Sequence, residues 1–162
     1  YLTAEQAARA MFPEADHFAS QTLLIDAALA AQLQAQGLKP RTPQWQVNTA
    51  MKADNSPLGF VVVDEVIGKF ELITYAVGVG LDGAVKQVEI LSYRESHGHE
   101  VRLPAWRRQF IGKRAGASLR LGDDIANLSG ATLSCQHVTD GVRRVLSVLD
   151  AARRSGAVKP AP

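Results

Sequence analysis

Between Phe70 and Val79, large apolar side chains recur at every second position. Ile73, Tyr75, Val77 and Val79 share one face, and the smaller set Leu72, Thr74, Ala76 and Gly78 lines the other. That alternation predicts a β-strand with one bulky and one slim face. Phe60-Val61-Val62-Val63 is a compact β-branched run that predicts an earlier strand, and Gly68-Lys69 marks the break after it. Leu81-Asp82-Gly83-Ala84 holds the Asp-Gly pair of a tight type I′ hairpin, and Val85 to Leu91 returns as the partner strand. The middle of the chain therefore reads as an antiparallel meander and not as a βαβ unit.

Helical periodicity frames this region. Thr3 followed by Gln6 is a capping-box pattern, with Ala7, Ala8, Ala10 and Met11 favouring helix and Pro13 ending it. Asp26 is the expected N-cap of a second helix reaching about Gln36, stopped by Gly37, and Lys39 to Pro43 is a turn-rich connector. Pro104 suits the first turn of a helix to about Ile111, with Trp106 and Phe110 four apart, before Gly112 and Gly116. The last helix is the clearest. Val138, Val142, Val145, Leu146 and Leu149 form a stripe that must pack on something. Arg143, Arg144, Arg153 and Arg154 are expected on its solvent side or at its C-terminal end, where cations suit the dipole. The fold class is α+β: a single domain with a twisted antiparallel sheet and helices packed around it. Residues 1–57 read as N-terminal helices and connector, 58–154 as the core, and 155–162 as a loose tail. No internal repeat is visible.

Composition narrows the function classes. The chain has 162 residues, 46% hydrophobic and 21% charged, which is ordinary for one soluble globular domain and excludes a disordered chain or a rod. A net charge of +2 is too small to suggest a nucleic-acid protein, and the basic residues are scattered except for Arg107–Arg108, Arg143–Arg144 and Arg153–Arg154. No apolar run approaches the roughly 20 residues of a membrane span. The single Cys135 allows no internal disulfide. No signal peptide stands at the start, and Tyr1 in place of Met fits a mature or trimmed chain.

The chemistry concentrates before the last helix, in Asp123-Asp124-Ile125-Ala126-Asn127-Leu128-Ser129-Gly130-Ala131-Thr132-Leu133-Ser134. Ser129, Gly130 and Ala131 are small enough for a ligand to approach the backbone closely. Thr132 and Ser134 place hydroxyls where first-turn amides lack intrahelical partners, a setting suited to a phosphate. The alternative is that Thr132 or Ser134 simply caps the helix.

Ser129-Gly130-Ala131-Thr132, with Leu133-Ser134 after it, resembles the flavin-attachment motif of the FMN-binding domain family. That family includes the flavin-carrying C subunit of sodium-translocating NADH:quinone reductase and the G subunit of the Rnf complex. Phe70 to Leu91 resembles the family's hairpin. Tyr93-Arg94-Glu95-Ser96-His97-Gly98 resembles its Glu-Thr-Pro-Gly segment, and Trp106 to Lys113 its Trp, Phe and Gly-Lys spacing. The resemblance spans roughly Val61 to Leu149. It implies one FMN joined through its phosphate to Thr132 by a separate flavin transferase that uses FAD, with non-covalent FMN as the alternative. It also implies a periplasmic or extracytoplasmic setting and electron relay between redox partner proteins, a membrane electron-transfer complex among them. Ala126 stands where the family usually carries Asp, with Asp123 and Asp124 nearby but out of register, and His97 replaces the usual Pro.

The resemblance puts Glu95, Ser96, His97 and Gly98 beside the flavin, with Glu95 and Ser96 as partners of ring or ribityl atoms; an ordinary surface turn is the other reading. His97-Gly98-His99-Glu100 has ligand-type residues but no zinc-site spacing. Tyr93 and Trp106 either stack on the ring or belong to the core. Lys69 and Lys113 either approach the phosphate or ring or are solvated loop lysines. His17 and His137 read as exposed or capping, and Cys135 as a small buried residue. No acid–base pair or nucleophilic triad stands out, so an electron carrier fits better than an enzyme with its own substrate. The rivals are a flavin-free binding or assembly module of the same fold and a reductase acting on a small acceptor.

Overall fold

In a computed structural model, five strands among the described residues pair in chain order, each antiparallel to the next: β1 His17–Leu24, β2 Gln44–Met51, β3 Pro57–Ile67, β4 Leu72–Gly80 and β5 Val85–Tyr93. Four α-helices accompany them there: α1 Ala4–Met11, α2 Ala27–Ala35, α3 Pro104–Arg107 and α4 Thr132–Ser155. The structure describes residues 1–68, 70–94, 99–102 and 104–162, and of His99 and Glu100 the backbone alone.

The two faces of β4 explain the alternation. Ile73, Tyr75, Val77 and Val79 are buried in the main core with Val62 and Val66 of β3 and with Val138, Val142, Val145 and Leu149 of α4. Ala76 belongs to a second, thinner core under α1, with Ala7, Met11, Phe12 and Val61. The small residues of that face have a physical reason: a Cβ on Gly78 would stand 2.8 Å from Met11 Sδ. α1 keeps its place through the capping box, in which Thr3 Oγ1 accepts from Gln6 N and Gln6 Oε1 accepts from Thr3 N. Asp26 caps α2 by accepting from Leu29 N at 2.8 Å.

Five sequence expectations need amendment. β1 and β2 fall in a region read as helices and connector, so the sheet is two strands wider than the meander predicted. The hairpin after β4 is not type I′, which needs positive φ at both central residues. Only Gly83 is left-handed, at φ +83°, and its N–H donates to Gly80 O at 2.9 Å, the type I turn plus glycine bulge of a longer loop. The helix from Pro104 stops after one turn, and Arg108–Phe110 tightens into a 3-10 turn.

Two of the four arginines of α4 point inward, at 7% (Arg144) and 4% (Arg153) exposure. Arg144 Nη2 donates to Asp64 Oδ2 at 2.6 Å, which also accepts from the Tyr75 hydroxyl at 2.7 Å. Arg153 donates to the carbonyls of Leu81 and Pro160, each at 3.0 Å. Burial of these charges is tolerable because each is met by a carboxylate or by carbonyls. The same bonds correct the expected loose tail. Val158 is fully buried, and Gln21 Nε2 donates to Lys159 O at 3.0 Å, so 155–162 is fastened across α4 to β1.

Candidate functional site

The loop leading to α4 is fixed from several sides. Leu119 takes φ +44°, a costly conformation for a side chain of its size, and Asp124 compensates. Its carboxylate accepts from Leu119 N at 2.9 Å and Arg120 N at 2.8 Å, with Lys113 Nζ 3.6 Å away. Burial raises the Asp124 pKa, but the N–H groups of Arg120 and Leu119 outweigh it and bring the value down to about 2. Asp124 is therefore a loop staple, and Lys113 is its ion-pair partner.

Ile125 is fully buried. Ala126, next in sequence, has both backbone groups taken by side chains: Trp106 Nε1 donates to its carbonyl and its N–H donates to Gln109 Oε1, each at 2.7 Å. Asn127 Nδ2 donates to Thr132 Oγ1 at 3.0 Å. Neither Gln109 nor Asn127 was singled out by the sequence. Asn127 is a polar side chain five residues before Thr132, a weak signal, and Gln109 carries no signal because its partner is remote in the chain.

The residues read as small for a ligand's sake divide. Ser129 and Gly130 are exposed, and Gly130 has φ +83° with nothing within 4 Å of a would-be Cβ, so glycine serves the backbone turn there. Ala131 is buried and occupies the N-cap position with no capping side chain. The reading of Thr132 or Ser134 as a helix cap is therefore corrected. Thr132 is the first helical residue and its side chain is exposed. Leu133 is 45% exposed, whereas Ser134 is 5% exposed and turns inward, its Oγ 2.9 Å from the Tyr93 hydroxyl. Among the described residues no side chain accepts from the amides of Thr132, Leu133 or Ser134.

Trp106 and Tyr93 both belong to the core, and Trp106 meets Phe110 edge-on with centroids 5.2 Å apart. Cys135 is fully buried. His137 is half-buried with Nδ1 3.0 Å from Gly68 O, and His17 lies 2.9 Å from Asp16. Glu95, Ser96, His97, Gly98 and Lys69 lie outside the described residues, as do the side chains of His99 and Glu100. Among the described residues, no group of three or more His, Cys, Asp or Glu gathers as for a metal ion, and no helix is long and apolar enough to cross a membrane.

Residues 68–147 match a family described as the FMN-binding domain. In three dimensions the chain is similar to the crystal structure of NqrC from Shewanella oneidensis, with 18% identity, TM-score 0.57, and coverage of 83% of this chain and 80% of that one. The corresponding component of the Na(+)-translocating NADH-quinone reductase from Parabacteroides distasonis aligns at 10% identity and TM-score 0.46, over 89% of this chain and 84% of that one. No curated protein matches the chain in sequence.

Proposed function

The chain belongs to the FMN-binding domain family through residues 68–147, and from that premise we propose that it is an extracytoplasmic electron carrier holding one FMN esterified to Thr132. The observation that carries this reading is the position of Thr132. It is an exposed hydroxyl on the first residue of a 24-residue helix whose N-cap offers no competing side chain. First-turn amides and the positive end of the helix stabilise a phosphate there. In the attachment step, Thr132 Oγ1 bonds to the flavin-side phosphorus of FAD and the pyrophosphate P–O bond breaks. AMP leaves with the bridging oxygen, and the hydroxyl proton passes to base or solvent. No electrons change hands in that step.

Bound FMN supplies the electron chemistry, and the protein supplies tethering, orientation and exclusion of water. Ser129, Gly130, Leu133 and the Ser134 backbone surround the attachment point, and Leu133 adds an exposed apolar surface beside it. In this reading Glu95, Ser96, His97 and Gly98 also contribute to the flavin site, on the strength of the family match over 68–147. The partners in this reading are a flavin transferase for maturation and redox proteins, a membrane electron-transfer complex being the partner suggested by the structural likeness.

Intact mass after co-production with a flavin transferase tests the proposal. The chain gains one FMN residue, peptide mapping places it on Thr132, and Thr132→Ala abolishes it. An adduct on Ser134, or one surviving Thr132→Ala, overturns the assignment.

One observation favours a second reading, FMN held without the ester. Ala126 replaces the family's acid, and the nearby Asp124 is already committed to Leu119 and Arg120. The Ala126 side chain is exposed, so Ala126→Asp is accommodated without moving the backbone. Flavin colour without added mass in the parent chain, converted to an adduct by Ala126→Asp, selects the non-covalent reading.

A further inference from the structure

Ala126 is the one loop residue before α4 whose carbonyl and N–H are both held by described side chains, and both come from the short segment 104–110. Trp106 reaches the carbonyl from inside the core, and Gln109 takes the N–H from the next turn. The two are tied to each other, since Gln109 Nε2 donates to Trp106 O at 3.0 Å. A loop residue at the surface ordinarily gives these groups to water; here they are spent on a fixed orientation. Ile125 anchors the preceding residue in the core, and Asn127, the residue after, donates to the Thr132 hydroxyl oxygen. A continuous line of contacts thus runs from the core through Ala126 and Asn127 to Thr132 Oγ1.

We propose that Trp106 and Gln109 are positioning residues for attachment of the flavin phosphate: they clamp Ala126 so that Asn127 orients the Thr132 hydroxyl. This rests on the covalent reading above. Asn127 donates to an Oγ1 lone pair, which leaves the hydroxyl proton free to be removed as Oγ1 bonds to the flavin-side phosphorus of FAD and AMP departs. The clamp acts through backbone atoms, so residue 126 is held in place with no acidic side chain of its own. A transferase that must read residues 126–132 in one conformation meets that conformation already formed, which lowers the ordering cost of recognition.

The test uses the full chain, FAD and a flavin transferase, following adduct mass against time. Gln109→Ala removes the acceptor for Ala126 N, and loading slows roughly fivefold to tenfold, the worth of one such hydrogen bond. Gln109→Glu keeps an acceptor oxygen at that place and restores most of the rate. In flavin-free protein, hydrogen exchange of the Ala126 amide speeds up in Gln109→Ala and returns towards the parent in Gln109→Glu. Loading of Gln109→Ala at the parent rate, with its Ala126 amide exchanging faster, overturns the positioning role. A slowed Gln109→Ala whose thermal midpoint falls alike, with no rescue by Gln109→Glu, overturns it too, because lost fold then explains the rate. A parent chain that gains no FMN mass overturns the attachment reading itself, an outcome distinct from either.

Discussion

The Tyr93 hydroxyl lies 2.9 Å from Ser134 Oγ, joining the end of β5 to the first turn of α4 in a buried contact. Two hydroxyls two residues apart on one helix are thereby given opposite settings. Ser134 is turned inward and bonded, and Thr132 is turned out.

That division gives the first prediction. Ser134→Ala loses one buried hydrogen bond, about 1 kcal/mol of stability, and keeps its FMN adduct. Thr132→Ala loses the adduct and leaves stability within about 0.5 kcal/mol, as for other exposed positions. Thermal unfolding and intact mass on the same two samples check both halves.

A second prediction concerns the charge cluster beneath α4. Asp64 accepts from Arg144 and from Tyr75 across β3, β4 and α4. Burial first, then the Asp64 carboxylate, holds the Tyr75 phenol well above its ordinary pKa, so it stays a neutral donor. Arg144→Ala leaves Asp64 with its cation removed and is expected to cost about 3 kcal/mol. The double variant Asp64→Ala/Arg144→Ala costs less than the sum of the singles, because neither charge is then left alone. Urea unfolding of the four proteins measures the coupling.

Gly141 offers the third. An alanine inside a helix usually stabilises by up to about 1 kcal/mol over glycine. Here a Cβ would fall on the Tyr75 hydroxyl and 3.0 Å from Val66 Cγ1, so Gly141→Ala is expected to destabilise by about 2 kcal/mol. Adding Tyr75→Phe, which takes the clashing oxygen away, recovers part of the loss. Equal midpoints for parent and Gly141→Ala would show that the helix and strand can part at no cost.

The fourth is a pH dependence. The folded-state pKa of Asp124, about 2, lies below its unfolded value, so ionised Asp124 favours the fold. Its contribution is fully present above pH 4 and is lost as pH falls through about 2. Asp124→Asn is therefore less stable than the parent at pH 7, by about 1 kcal/mol after allowance for solvent screening. The difference narrows below pH 4 and closes only as pH drops below about 2, and a stability–pH curve for the pair measures it.

What the sequence made legible follows from how local each signal is. The alternation of β4, the stripe of α4 and the caps of α1 and α2 depend on neighbours within one or two turns, and they correspond to elements of the fold. β1 escaped because it is an edge strand whose faces are both partly polar, with Leu23 its one fully buried side chain. In β2 the spacing of Trp45, Val47 and Thr49 is regular, but the run is short and the connector before it obscures it. The inward turn of Arg144 and Arg153 could not be read, since Asp64 and the carbonyls that receive them lie more than 70 residues away in sequence, except for those of the closing segment. At the candidate site, the motif ending in Thr132 was visible, and so was Trp106 as a residue, but the bonds that Trp106 and Gln109 make to the Ala126 backbone cross 20 and 17 residues, and Asn127, five residues before Thr132, is only a weak signal.

The meander order has a consequence for where this domain can be cut. The family match, 68–147, takes in β4, β5 and the first two-thirds of α4. It leaves out β3, the neighbour that pairs β4 from Ile67↔Leu72 to Gly59↔Gly80. It also leaves out Leu149, Ala152 and Arg153, with which α4 closes over the core and grips the hairpin at Leu81. A fragment with those bounds would carry an open, apolar sheet edge and a helix with half its stripe uncovered, both invitations to aggregate. The recognisable segment and the folding unit are therefore different stretches of chain. The strands before it serve as the wall against which the helix bearing Thr132 is set.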